Sequence, residues 1–303
     1  MNYTLNQLQI FVKVVQTASI TKAAEELNLT QPAVSIQIKN FQAQFEIPLL
    51  EIIGKKIYIT DFGKEIAHSA KGILDQVYAI NYKTMAFKDQ LVGRLKISIV
   101  STAKYVLPYY LTGFLRTNPG VEVSIDVTNR EKVLESQLEN EVDFSLVSDA
   151  VDNPHFDYIE ILTNDLYLIG NGETALLKPT FNYHEFKNEL PLIFRELGSG
   201  TRKVMETYFK KQGVDGLKKI ELMSNEGVKQ AVIAGLGYSI MPIIGLKNEL
   251  KSGTLKIIER PGLPISTKWK LTWHKDKNLS PVAKAFLSYS SENKEQIKKK
   301  YFD

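Results

Sequence analysis

Gln31, Pro32, Ser35, Ile36 and Lys39 are the residues best suited to meet another molecule, and their chemistry is recognition rather than catalysis. In a helix Pro32, Ser35, Ile36 and Lys39 share one side with Gln31 at its edge, while Val34, Ile38 and Phe41, spaced by four and three, share the other. Short amide, hydroxyl and ammonium tips on a helix suit base edges in the DNA major groove. A second set lies in three loops: Ser101-Thr102-Ala103, Thr128-Asn129, and Arg195-Glu196-Leu197-Gly198-Ser199-Gly200-Thr201-Arg202. Hydroxyls, helix-terminal N–H groups and arginines suit an anion, and Arg195 or Arg202 offers a bidentate contact. Helix capping is the competing reading for each loop, because Ser, Thr and Asn begin helices generally. Gly198 to Thr201 lacks the spacing and the lysine of a P-loop. The chain has no Gly-x-Ser-x-Gly, no histidine–serine arrangement and no obvious carboxylate pair, so no catalytic residue is expected. His68, His155, His184 and His274 are scattered without metal-ligand spacing, so neither a metal nor a cofactor is expected.

Local signals say which elements carry these residues. Ser19 is placed to cap a short helix whose apolar face is Ala23, Ala24 and Leu27. Asn28-Leu29 breaks it. Thr30 then caps a second helix with Gln31 at its first position and Pro32 at its second, where a missing N–H costs little. An ordinary helical hairpin with solvated polar residues would look the same. The residues after the hairpin favour DNA. Residues 48–53 and 56–59 are short apolar runs around Gly54-Lys55, a two-stranded wing with Lys55 and Lys56 where phosphates would lie.

Asp61 is placed to cap a long helix to about Lys88. Along it Ile66, Ala70, Ile73, Val77, Ile80, Thr84 and Phe87 alternate in steps of four and three, a heptad seam that predicts pairing with a second copy. Packing on its own domain is the alternative. Leu91-Val92-Gly93 reads as a hinge. Beyond it strands alternate with helices, which predicts a mainly parallel sheet with helices on its faces. The last helix is expected over 281–289, with the Lys294–Lys300 tail as a solvated helix end.

Composition narrows the class. The 303 residues are 44% hydrophobic and 24% charged, ordinary for a soluble globular chain of two or three domains. The net charge of +4 is weak support for nucleic acid. The first 60 residues balance five lysines against Glu25, Glu26, Glu46 and Glu51, so one subunit alone should hold non-specific DNA modestly. No apolar run is long enough for a membrane span, and the N-terminus does not read as a signal peptide. Cysteine is absent, which excludes disulfides, thiolate metal sites and thiol redox sensing. Cytoplasmic residence is the expectation.

Leu8-x-x-Phe11, Ser19, Ala23-Ala24, Leu27 and Thr30-Gln31-Pro32-Ala33-Val34-Ser35 resemble the N-terminal signature of LysR-type transcriptional regulators. The length fits too. Departures are Phe41-Gln42 for the usual Leu-Glu, Leu49-Leu50-Glu51-Ile52 for Leu-Phe-x-Arg, and lysines for the wing arginines. Lysine keeps the charge but loses the planar fork. The resemblance implies an α/β chain in four parts. These are a winged helix-turn-helix (1–60), a linker and dimerisation helix (61–90), and two lobes of a periplasmic-binding-protein-like effector domain (91–163 with 268–303, and 164–267). It implies double-stranded promoter DNA, a small anionic effector, and a homodimer or homotetramer away from membranes. The DNA-facing set is Ser19, Thr30, Gln31, Pro32, Ser35, Ile36 and Lys39, with Lys55 and Lys56. The effector set is Ser101, Thr102, Asn129, Arg195, Ser199, Thr201 and Arg202. Asn225-Glu226-Gly227-Val228 and the run 234–242 resemble the second-lobe pattern, with Asn225 or Glu226 toward the cleft. The Arg-Glu-x-Gly-Ser-Gly-Thr-Arg stretch is similar to regulators of carbon fixation and of sulfur assimilation. A solute-binding protein or an enzyme on the same two-lobed fold are the alternatives. The helix-turn-helix argues against the first, the missing catalytic constellation against the second.

Overall fold

The computed structural model describes residues 3–53, 56–86, 91–148, 153–173, 191–213 and 219–303. The chain divides into two compact units, Met1–Gln90 and Leu91–Asp303.

The first unit comprises α1 (Leu5–Thr17), α2 (Ile20–Glu26), α3 (Gln31–Gln42), β1 (Leu50–Ile53), β2 (Lys56–Ile59) and α4 (Asp61–Ala86). Thr4 and Gln7 form a reciprocal capping box at α1. Leu8, Phe11, Val14, Ala23, Ala24, Val34, Ile38, Phe41 and Leu49 make the core. The two alanines keep α2 close to its neighbours. β1 and β2 pair antiparallel as the expected wing.

Two expectations for α4 are corrected. Its cap is Thr60, whose hydroxyl accepts from Gly63 N–H at 2.9 Å, and Asp61 is the first helical residue. The seam also divides. Ile66 and Ala70 pack into the unit's own core, whereas Ile73 and Ile80 are 42% and 62% exposed. Phe87 and the side chain of Thr84 lie outside the described residues. A Cβ at Gly63 would collide with the Leu49 carbonyl oxygen where α4 crosses the wing. Gly63→Ala is therefore expected to destabilise this unit by about 1–3 kcal/mol, read as an earlier urea midpoint.

The second unit holds β3 (Val92–Val100), a 3₁₀ turn (Ser101–Tyr105), α5 (Leu107–Thr117), β4 (Gly120–Thr128), α6 (Arg130–Leu138), β5 (Phe144–Val147) and β6 (Phe156–Asn171). It continues with β7 (Leu192–Arg195), α7 (Gly200–Lys211), β8 (Lys219–Leu222), α8 (Asn225–Ile233), β9 (Ser239–Pro242) and α9 (Lys247–Ser252). β10 (Leu255–Ile258), β11 (Ile265–His274) and α10 (Pro281–Tyr301) complete it.

The sheet order is β10-β6-β11-β5-β3-β4, with β9 also on β6. Only β4-β3-β5 is parallel in this sheet, with β7-β8 a separate parallel pair; the other pairings are antiparallel. The expectation of a mainly parallel sheet is thus corrected. The cause is β6, 16 residues long, with β11 returning antiparallel along it through a bulge at Trp269/Lys270. β6 gives Ile161 and Leu162 to a core around Phe114, Phe144, Trp269 and Phe286. Further along it gives Leu166 and Leu168 to one around Phe194 and Tyr208, and Ile169 to one around Val228 and Val232. The expected hinge at Leu91-Val92-Gly93 is corrected as well: Val92 and Gly93 open β3, in register with Gly120 and Val121. The final helix outruns its expected end, and Val282, Phe286 and Ile297 bring it back onto the first core.

Candidate functional site

In the first unit the helix face expected to meet DNA forms as its spacing requires. Thr30 Oγ1 accepts from Ala33 N–H at 3.4 Å and Ser19 Oγ from Lys22 N–H at 3.3 Å, so both hydroxyls act as caps yet keep a proton to donate. Val34, Ile38 and Phe41 are buried, while Gln31, Pro32 and Lys39 are exposed and Ser35 is half-buried. Ile36 is 57% exposed, an apolar tip among polar ones. Asn40, exposed beside Lys39, extends this face and was not singled out from sequence. Lys56 stands exposed on the wing; Lys55 lies outside the described residues. Lys56→Ala is expected to weaken every DNA sequence alike and to lower the slope of log K against log salt by about 1, measured by anisotropy across a salt series.

In the second unit the three expected loops do converge. The carboxyl ends of β3, β4 and β7 bring Ser101, Thr102, Asn129, Arg195, Ser199 and Thr201 around one cavity, where open α/β sheets place ligands. Asn129 caps α6 by accepting from Lys132 N–H at 3.0 Å. The loop before α7 is pinned to α6, since Glu131 N–H donates to Gly198 O at 3.3 Å. Gly198 has φ +81°, and a Cβ there would stand 2.7 Å from the Glu131 carboxylate, so glycine is required.

Arg195 is 5% exposed and already engaged. Its Nε and Nη2 donate to the two carboxylate oxygens of Glu196 at 2.7 Å each, and Nη1 donates to Ser101 Oγ at 3.0 Å. Asn225 Nδ2 donates to the same Ser101 oxygen at 2.8 Å. Ser101 follows β3, while Arg195 and Asn225 belong to β7 and α8, so one hydroxyl joins the two halves of the unit. The cavity left among these groups is about 20 Å³, room for roughly one water. Thr102, 4% exposed, lines it with a hydroxyl that makes no hydrogen bond among the described residues.

Arg202 departs from expectation. Its Nε donates to Glu206 at 2.9 Å, and Nη1 donates to Glu221 and to the Arg195 carbonyl, which turns it away from the cavity. Burial works against its charge, but the bonds to Glu221 and Glu206 outweigh that and hold the guanidinium above its ordinary value. Arg130, at the first turn of α6, lines the cavity instead. Sequence reading passed over Arg130 and over Glu196 as its neighbour's partner. The cue for Arg130 was its place directly after the Asn129 cap. The histidines are not all scattered: the rings of His155 and His274 stack with centroids 5.9 Å apart.

Residues 5–64 match the family model for bacterial regulatory helix-turn-helix proteins of the lysR family, and residues 88–294 match the LysR substrate binding domain. The chain belongs to the LysR family. This LysR-type transcriptional regulator is 36% identical over 292 residues to the HTH-type transcriptional activator CmpR of Synechocystis sp., covering 95% of each chain. The regulatory domain of CcmR from Synechocystis PCC6803, solved in complex with 2-PG, is 33% identical, with a TM-score of 0.61 over 66% of this chain and 96% of that one. Full-length CbnR, solved with its target DNA, superposes with a TM-score of 0.67 over 96% of the regulator and 99% of CbnR. At 20% identity that likeness concerns the fold alone. No helix among the regulator's described residues is long and apolar enough to cross a membrane.

Proposed function

We propose that the regulator binds promoter DNA in the cytoplasm as a homodimer or homotetramer, and that a small anion held in the Ser101–Asn225 cavity alters that binding. The observation that carries the reading is the Ser101 hydroxyl, which takes donors from Arg195 and Asn225 across the cavity. An anion with several oxygens would compete for the same donors, and so would favour a different spacing of the two halves. A ligand shifts an equilibrium only through such a difference in affinity. The halves act as lobes, residues 91–163 with 268–303 and residues 164–267, and the shared strands β6 and β11 serve as the flexing element in place of Gly93.

Ser101, Thr102, Ser199, Thr201 and the α7 N-terminus would satisfy the anion's oxygens, with Asn129 at the rim. Glu196 already neutralises Arg195, so the α7 N-terminus is offered to the added charge, with Arg130 lining the same cavity. Arg202 orients the Arg195 carbonyl from behind. The CcmR regulatory domain, 33% identical to this chain, was solved in complex with 2-PG, which makes 2-PG the first anion to try. A solute-binding protein or an enzyme on this fold is disfavoured by the DNA-reading face and by the LysR relatives.

On DNA, Gln31 reads an adenine edge, Ile36 packs on a thymine methyl, and Ser19, Thr30, Lys55 and Lys56 meet phosphates. Operator fragments selected from genomic DNA by the purified chain supply the test. Gln31→Ala should cost about 1–3 kcal/mol on the selected site and blur its sequence preference. Unchanged affinity on that site would remove α3 from the DNA-reading role.

A further inference from the structure

We infer that His155, His274 and Asp276 form a binding site for one divalent first-row transition ion, of the zinc, nickel or cobalt type. One ligand atom from each of the three side chains lies within 4.8 Å of the others. An ion bonds imidazole nitrogen and carboxylate oxygen at about 2.0–2.2 Å, which sets tetrahedral ligand atoms roughly 3.3–3.5 Å apart. The remaining closure is of the order of 1 Å, and the exposed side chains of His155 and Asp276 are able to supply it. Two imidazoles with one carboxylate and no sulfur select borderline ions over calcium and magnesium, which prefer all-oxygen shells. Three protein ligands leave positions for water.

The backbone holds the three in place. His274 and Phe156 are paired residues of β11 and β6, so His155 sits one step beyond the pair. Lys275 N–H donates to His155 O at 2.9 Å, His155 N–H to Asn153 Oδ1 at 2.9 Å, and Lys277 N–H to His274 O at 3.0 Å. His274 Nδ1 stands 4.0 Å from the Asp276 carboxylate and accepts the Asp276 N–H at 3.2 Å. That Nδ1 is therefore an acceptor with its lone pair toward Asp276, and the ion takes the place of this long bond. Of the nearby cations, Lys277 is held by Asp143 at 3.2 Å and by the Val142 carbonyl at 2.7 Å, while Lys275 is exposed. A bound ion would fasten together the ends of β6 and β11, the two strands shared by the cores around Phe114 and Phe194.

Untagged full-length protein is titrated with Co²⁺, followed by its visible absorption, and with Zn²⁺ by calorimetry. The expected result is one ion per chain and a rise in melting temperature at saturating ion. His155→Ala and His274→Ala should each weaken binding by roughly tenfold or more, and Asp276→Asn by less. Lowering the pH should also weaken it, because protonated imidazole cannot ligate. His68→Ala should bind like the unaltered chain. All three ligands are at least partly exposed, so these variants should fold, and melting without metal checks that. The proposal is overturned if the unaltered chain shows no saturable binding at about 1 mM ion. It is equally overturned if both histidine variants keep the original affinity.

Discussion

Thr102→Val should lower affinity for the bound anion by about 1.5–3 kcal/mol, roughly 10- to 150-fold, while leaving the melting temperature almost unchanged. The substitution keeps the shape of a side chain that is 4% exposed and removes a hydroxyl that makes no hydrogen bond among the described residues. Stability therefore has little to lose, whereas an anion loses a charge-assisted donor. The contrast with Ser101 is instructive. Ser101→Ala would strip an acceptor from Arg195 and Asn225, so its effects on the ligand-free and liganded forms would be mixed. Calorimetry with 2-PG, inorganic phosphate and sulfate on Thr102→Val and the unaltered chain measures the difference. Equal affinities for the best anion of the panel would take Thr102 out of the site.

Ile73→Glu should disrupt pairing of α4 between subunits and lower operator affinity by roughly 100-fold, about 2.7 kcal/mol. Ile73 is 42% exposed, while Ala70, about one turn earlier, and Ala67 before it are buried in the unit's own core. The outward part of the helix is thus the part free to meet a second copy. Loss of pairing leaves each recognition helix to find its half-site alone. A second approach uses the absence of cysteine. Val77→Cys, half-buried near Ile73 on the same seam, should crosslink two chains under mild oxidation. A missing crosslink together with full operator affinity for Ile73→Glu would exclude α4 as the interface.

The elements that were legible in the sequence are those whose signals are local. Ser19, Thr30 and Asn129 cap the helices that their side chains and spacing announce, and Val34, Ile38 and Phe41 face inward because a helix repeats every 3.6 residues. The wing was evident from two short runs around a turn. Pairing direction in the larger sheet was not legible. β6 carries Glu160, Thr163, Asn164 and Asp165 in its middle, which breaks any simple apolar alternation. Its antiparallel partner β11 begins only at Ile265, far along the chain from the end of β6 at Asn171, in a register set by tertiary packing. The three strand-end loops could be grouped from the sequence because strand ends followed by capping residues are local features, and they do meet at one cavity.

The fate of each arginine was not legible. Arg195 is held by its own neighbour Glu196, and Arg202 by Glu206 one turn on and by Glu221 from β8. Spacing alone foretells the Arg202–Glu206 pair at best. His155 and His274 could be seen as neighbours only once β6 and β11 were in register.

Anion binding in the second unit is expected to change DNA binding by the first. Fluorescence anisotropy of the full chain on its selected operator, with and without saturating 2-PG, phosphate or sulfate, measures that coupling directly. At least one of these anions should shift the operator dissociation constant of the unaltered chain by about tenfold, a coupling of about 1.4 kcal/mol, and Thr102→Val should require far more anion for the same shift. An operator affinity that no anion moves, or a shift with the same anion dependence in Thr102→Val, would contradict that coupling.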